Sequence, residues 1–161
     1  MILYLDASAL VKCYATELGS AETSEAIAVA ELVGTVMISR VEVAAALAKA
    51  VRVGALTPEN ALAGLQAFRR DWPDLVRLEV TESLVTRAEA LAWEQGLRGY
   101  DAVHLAAAVF WQEVMGEPVM MATFDRQLWG AAKQVGLTPY PAHLPALATD
   151  KGTSGPSPSS L

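Results

Sequence analysis

Ile2-Leu3-Tyr4-Leu5-Asp6-Ala7-Ser8-Ala9-Leu10-Val11-Lys12 opens the chain. Its first four residues form a short apolar run with no alternation, which predicts a strand buried on both faces. Asp6 ends the run, and a helix is expected to start soon after it, at Ser8. A charge inside the apolar segment between Leu5 and Val11 is costly unless it is paired or bound to metal. In an open α/β sheet, ligands bind beyond the carboxyl ends of the strands. The stretch therefore marks the start of an α/β fold and also a candidate site.

Outward from there, strand-like and helix-like segments alternate. Residues 20–33 carry helical spacing at Ala26, Ile27, Ala30 and Val33. Gly34 reads as the stop, and residues 35–38 as a second strand. Ser39-x-x-Glu42 matches a capping box ahead of a helix over residues 43–53, with Gly54 as its C-terminal stop. Thr57-Pro58-Glu59 supplies an N-cap, a proline at the first helical position and a first-turn acid. The helix it starts runs to about Trp72-Pro73. Residues 76–80 predict a third strand, and Thr81 or Ser83 opens a helix ending near Gly96. A long apolar helix follows over residues 101–115, then a strand over 119–123 and a helix over 125–134. Residues 137–140 suit a short edge strand limited by Pro139 and Pro141. This alternation predicts a mainly parallel sheet covered by helices on both faces, a three-layer α/β/α domain. Residues 1–144 form that domain. Residues 145–161 are rich in Pro, Ser and Gly and are expected to be a disordered tail.

Asp6, Glu42, Asp101 and Asp125 stand at the ends of strands or the starts of helices. Acids placed this way can converge in space although they lie far apart in sequence. A convergent acid cluster repels itself and stays ionised only when a cation neutralises it. Oxygen-only ligands favour Mg²⁺ or Mn²⁺, and such sites mostly handle phosphates. Each acid also has a structural alternative. Asp6, Asp101 and Asp125 could be N-caps or first-turn acids, and Glu42 could be only the second half of its capping box.

The other polar residues are weighed in the same way. Ser8 and Thr123 stand two residues from Asp6 and Asp125 and could orient a ligand or water, or cap helices. Arg98, Arg126 and Lys12 flank the acids and could meet phosphates or remain solvated. His104 lies three residues after Asp101 on nearly the same helix face. Among apolar neighbours it reads as a packed imidazole rather than a metal ligand. Trp93, Trp111 and Trp129 suit core or dimer packing better than base stacking.

At 161 residues and 53% hydrophobic composition, one domain can bury a sizeable core. The single cysteine, Cys13, excludes an internal disulfide and a cysteine-based zinc site, and reads as a packed thiol. The formal net charge of −6 argues against broad nonspecific nucleic-acid binding. The N-terminus lacks a basic n-region and cleavage signal, and charges interrupt every apolar stretch short of membrane length. The expected location is cytoplasmic, without a membrane.

Four segments together resemble the motifs of PIN-domain nucleases. Leu5-Asp6-Ala7-Ser8-Ala9-Leu10-Val11-Lys12 is similar to the family's opening motif, and Ser39-Arg40-Val41-Glu42 to its second-acid motif. Arg98-Gly99-Tyr100-Asp101-Ala102-Val103-His104-Leu105-Ala106 is similar to the third. Thr123-Phe124-Asp125-Arg126-Gln127-Leu128 resembles the T-x-D-x-x-L fourth. Order and gaps also look family-like, and size and motif style are most similar to the VapC type of toxin ribonuclease. The resemblance implies a small α/β/α fold in which Asp6, Glu42, Asp101 and Asp125 hold Mg²⁺ or Mn²⁺ for hydrolysis of an RNA phosphodiester. It also implies a homodimer silenced by a cognate antitoxin. An alternative is a PIN-fold RNA- or protein-binding module without catalysis. A haloacid-dehalogenase-type phosphatase would need an acid where Ser8 stands. A phospho-receiver domain would need acids adjacent to Asp6.

Overall fold

The structure is a computed structural model and describes residues 1–144; the expected tail over residues 145–161 lies outside them. Five strands form one parallel sheet: β1 Ile2–Leu5, β2 Leu32–Val36, β3 Val76–Leu78, β4 Val119–Ala122 and β5 Thr138–Tyr140. Their order is β3-β2-β1-β4-β5, so the first strand lies at the centre. β1 pairs with β2 from Ile2 against Leu32 and with β4 from Ile2 against Val119. All four strand pairings are parallel, which completes the mainly parallel expectation.

Among the described residues seven α-helices cover the sheet: α1 Ala7–Leu10, α2 Ser20–Val29, α3 Ser39–Arg52, α4 Pro58–Asp71, α5 Glu82–Gln95, α6 Gly99–Met115 and α7 Arg126–Gln134. The chain first moves outward from β1 to β2 and β3, then returns across the sheet to β4 and β5. Right-handed crossovers put helices on opposite faces when the direction reverses. The core is accordingly double. Leu3 and Leu5 pack with Leu10, Val43, Leu47, Phe68 and Trp72 on one face. Ile2 and Tyr4 pack with Leu105, Trp111, Met121 and Leu128 on the other. Alternation along β1 explains the split, since successive side chains point to opposite faces.

Several boundaries differ from the sequence reading. α2 ends at Val29, and β2 begins at Leu32, so Gly34 lies inside a strand rather than ending a helix. A Cβ at Gly34 would stand 2.7 Å from the Trp111 ring. The glycine is there to admit that indole against the sheet. The capping box does not form: the N-cap of α3 is Ile38, with no side-chain cap. Ser39 is buried, and its hydroxyl lies 2.6 Å from that of Thr35, which donates to Leu5 O at 2.6 Å. Other local signals act as read. Thr57 caps α4 through Asn60 N, Thr81 caps α5 through Leu84 N, and Gly96 takes the left-handed conformation after α5.

One packing expectation changes, and the tryptophans divide. Cys13, read as packed, is exposed. Trp111 is buried and Trp129 half-buried, its indole N–H donating to Pro141 O at 2.8 Å. Trp93 on α5 is 90% exposed and lies outside the core.

Candidate active site

β2 and β4 flank β1 where the chain reverses its direction across the sheet, and a crevice opens beyond the strand ends at such a point. Asp6 follows β1, and Thr123 and Asp125 follow β4. Glu42 comes from the first turn of α3, and Asp101 from the first turn of α6. All four acids line one cleft of about 280 Å³, together with Ala7, Ser8, Arg98, His104 and Phe124. The convergence that the sequence could not show is therefore present.

Asp6 is 3% exposed. Its Oδ1 accepts from Ala9 N at 2.8 Å and Ser8 Oγ at 2.7 Å. Its Oδ2 accepts from Thr123 Oγ1 at 2.6 Å. Asp6 is thus both the N-cap of α1 and a wall of the cleft. Burial pushes its carboxyl above the usual carboxylate range, and the hydrogen bonds from Thr123, Ser8 and Ala9 oppose that push. Ser8 and Thr123 therefore hold an acid rather than cap helices. Ser8 Oγ also accepts from Phe124 N at 2.9 Å, and Thr123 Oγ1 from Asp125 N at 3.2 Å, which ties the β4 end to β1.

Asp125 divides its two oxygens. Oδ1 caps α7 by accepting from Leu128 N at 2.8 Å. Oδ2 faces the cleft, 3.2 Å from Arg98. Asp101, in the first turn of α6, accepts from Arg98 Nε at 2.8 Å. One guanidinium therefore spans two acids, and Arg98 is itself 74% exposed. The hydrogen bond it donates to Asp101, with the charges of Asp101 and Asp125, raises its affinity for its proton. Lys12 is not available in the same way. Its ammonium pairs with Glu17 at 2.8 Å and lies 4.5 Å over the Phe124 ring.

Glu42 is not part of a capping box. Its Oε1 lies 2.7 Å from His104 Nε2. His104 is buried, as expected, but not as an apolar filler, since its Nδ1 lies 2.9 Å from the Tyr4 hydroxyl. Tyr4 is fully buried; its burial, with the charges of Asp6 and Glu42, holds the phenol well above its ordinary value. The Asp101-x-x-His104 spacing was the one sequence signal for this contact, and Tyr4 had none.

Among the described residues, no three His, Cys, Asp or Glu side chains stand close enough together to hold a metal ion in this arrangement. The donor chemistry nevertheless suits a hard divalent cation, with four carboxylates, two hydroxyls and no thiolate on the cleft or behind it. Arg98 pairs with two of those carboxylates, and its single positive charge leaves the cleft anionic. No helix among the described residues is long and apolar enough to cross a membrane.

A family model described as PIN domain matches residues 3–133. Ribonuclease VapC45 of Mycobacterium tuberculosis (strain CDC 1551 / Oshkosh) is 37% identical over 148 residues, covering 89% of this chain and 97% of that protein. Ribonuclease VapC49 of Mycobacterium tuberculosis (strain ATCC 25618 / H37Rv) matches with the same identity and coverage. Among solved structures, PAE2754 from Pyrobaculum aerophilum shares the fold with a TM-score of 0.57 at 23% identity, over 81% of this chain and 79% of that one.

Proposed function

The chain belongs to the PIN-domain family and is of the VapC type, and from that premise we propose that it is a Mg²⁺- or Mn²⁺-dependent endoribonuclease acting as the toxin of a toxin–antitoxin pair. The observation that carries this reading is the gathering of Asp6, Glu42, Asp101 and Asp125 on one cleft, from four elements far apart in sequence. The ribonuclease names of the two mycobacterial relatives support it.

The four acids would hold the cation. A bound divalent cation supplies Lewis acidity and neutralises charge developing on a phosphodiester. The rest falls to the chain. Ser8, Thr123 and Ala9 N hold Asp6 in one orientation, which lowers the entropy lost when a ligand binds. Asp125 keeps one oxygen free of its capping duty. Arg98 and a cation compete for the same oxygens of Asp101 and Asp125. Once released, the planar guanidinium of Arg98 matches phosphate in a bidentate way and can orient the substrate. A cognate antitoxin and a second copy of the chain are the expected partners.

The test uses the purified full chain and end-labelled RNA, with EDTA, Mg²⁺ or Mn²⁺. Cleavage is expected with either metal, none with EDTA, and none from Asp6→Asn or Asp101→Asn. Equal cleavage in EDTA rejects the metal-dependent reading. RNA binding without cleavage under all conditions selects a non-catalytic binding module. The observation favouring that second reading is Arg98, which acts as a built-in counter-ion for two of the acids.

A further inference from the structure

Glu42 differs from the other three acids in how it is held. Asp6 is gripped by two hydroxyls and a backbone N–H, and Asp125 by the helix it caps. Asp101 is tied to Arg98. Glu42 has the longest side chain of the four, so ordering it costs more entropy. Its hydrogen bond is to His104, which is 1% exposed. Behind His104 stands Tyr4, 0% exposed, with its hydroxyl on Nδ1 at 2.9 Å. The rings meet edge to face at 79°, centroids 6.0 Å apart. A phenol is protonated at neutral pH and can donate to Nδ1. That leaves the proton of a neutral imidazole on Nε2, facing a carboxylate that can only accept.

We propose that His104 is a positioning residue, fixed by Tyr4 in the Nε2–H tautomer so that it orients the Glu42 carboxylate on the cleft. β1 then supplies the residue that sets the tautomer and leads directly into Asp6, and α6 supplies both Asp101 and the imidazole. The logic is that of partners behind metal-binding side chains, whose loss costs about 10–100-fold in metal affinity or activity. The proposal rests on the reading of Glu42 as a cation-binding acid.

Two measurements on the full chain test it. The first is the histidine ¹⁵N spectrum at pH 7 without metal, with His143 assigned by its loss in His143→Gln. His104 is expected to be protonated on Nε2 alone. Protonation on Nδ1 alone, or on both nitrogens, overturns the proposal. The second is Mn²⁺ affinity by calorimetry, with kcat and KM on RNA. His104→Leu is expected to raise the Kd for Mn²⁺ about tenfold and lower kcat, leaving KM for RNA unchanged. His104→Gln, which restores a donor near Nε2, should recover most of the loss, and Tyr4→Phe should fall between. Wild-type Mn²⁺ affinity and kcat in both His104→Leu and Tyr4→Phe overturn it. If His104→Leu does not fold, Tyr4→Phe and His104→Gln carry the test. A wild-type protein that binds no Mn²⁺ rejects the metal reading instead, and the tautomer still decides the claim about His104.

Discussion

Asp6 shows how one residue serves the fold and the site at once. Its Oδ1 caps α1, while Oδ2 is held by Thr123. Burial makes this costly, which is why its carboxyl sits above the usual range. A raised carboxyl binds its proton more tightly in the folded than in the unfolded chain. Folding stability then falls as pH rises from the ordinary carboxylate range through the raised value. Asp6→Asn removes that loss and keeps an oxygen for Ala9 N. Without metal, its melting temperature is expected to equal or exceed that of wild type at pH 7. The gap should close toward pH 4, where wild-type Asp6 also becomes neutral. Scanning fluorimetry from pH 4 to 8 measures this. Nuclease activity should be abolished at every pH, and an unfolded or fully active variant rejects the assignment.

At the scale of elements, close approaches are carried by particular glycines. Gly34 lets β2 accept the Trp111 ring of α6, and a Cβ would also stand 3.0 Å from Val76 O. Gly64 lets α4 approach the backbone at Tyr14, where a Cβ would lie 2.5 Å from the carbonyl oxygen. Gly130 in α7 has no atom within 4 Å of a Cβ position. Alanine should therefore act with opposite signs at these positions. Gly34→Ala is expected to cost about 1–3 kcal/mol, because overpacking strains a filled core. Gly64→Ala should also destabilise, the clash with a carbonyl outweighing better helix propensity. Gly130→Ala should stabilise by about 0.5–1 kcal/mol, since only the propensity term remains. Urea unfolding of the three variants checks the pattern, and a stabilised Gly34→Ala would show that the β2–α6 contact is looser than described.

For the whole molecule, the cleft is an anionic mouth on a chain of net charge −6. A cation that binds only the native state stabilises it by mass action. Mn²⁺ or Mg²⁺ should therefore raise the melting temperature, and the shift should vanish in Asp6→Asn/Asp101→Asn. An equal shift in that variant places the ion elsewhere. Inhibition follows from the same charge. Arg98 already pairs with Asp101 and Asp125, so an arginine from an antitoxin could pair with acids of the cleft in the same bidentate manner. Antitoxin binding should weaken as Mn²⁺ is raised, because metal and guanidinium compete for the same oxygens. An affinity indifferent to Mn²⁺, measured by calorimetry, rejects that mode of inhibition.

Much of this was legible in the sequence, because its signals are local. An unbroken apolar run made β1, Thr57-Pro58 and Thr81 started helices, and Gly96 ended one. The four acids stood at the strand ends and helix starts where a parallel sheet gathers its ligands. The sequence by itself therefore determined the order of elements, the fold class and the candidate acids. Tertiary structure decided the rest. Gly34 looked like a helix stop because the indole that requires it comes from α6, far along the chain. Ser39 and Glu42 looked like a capping box, but Thr35 at the end of β2 takes the Ser39 hydroxyl, and His104, far along the chain, takes Glu42. His104 looked like core, and only the stacking of α6 on β1 sets it between Tyr4 and Glu42. Arg98 gave no sign that it spans two acids. Such contacts depend on which atoms long-range packing brings within about 3 Å, a distance that spacing along the chain does not encode.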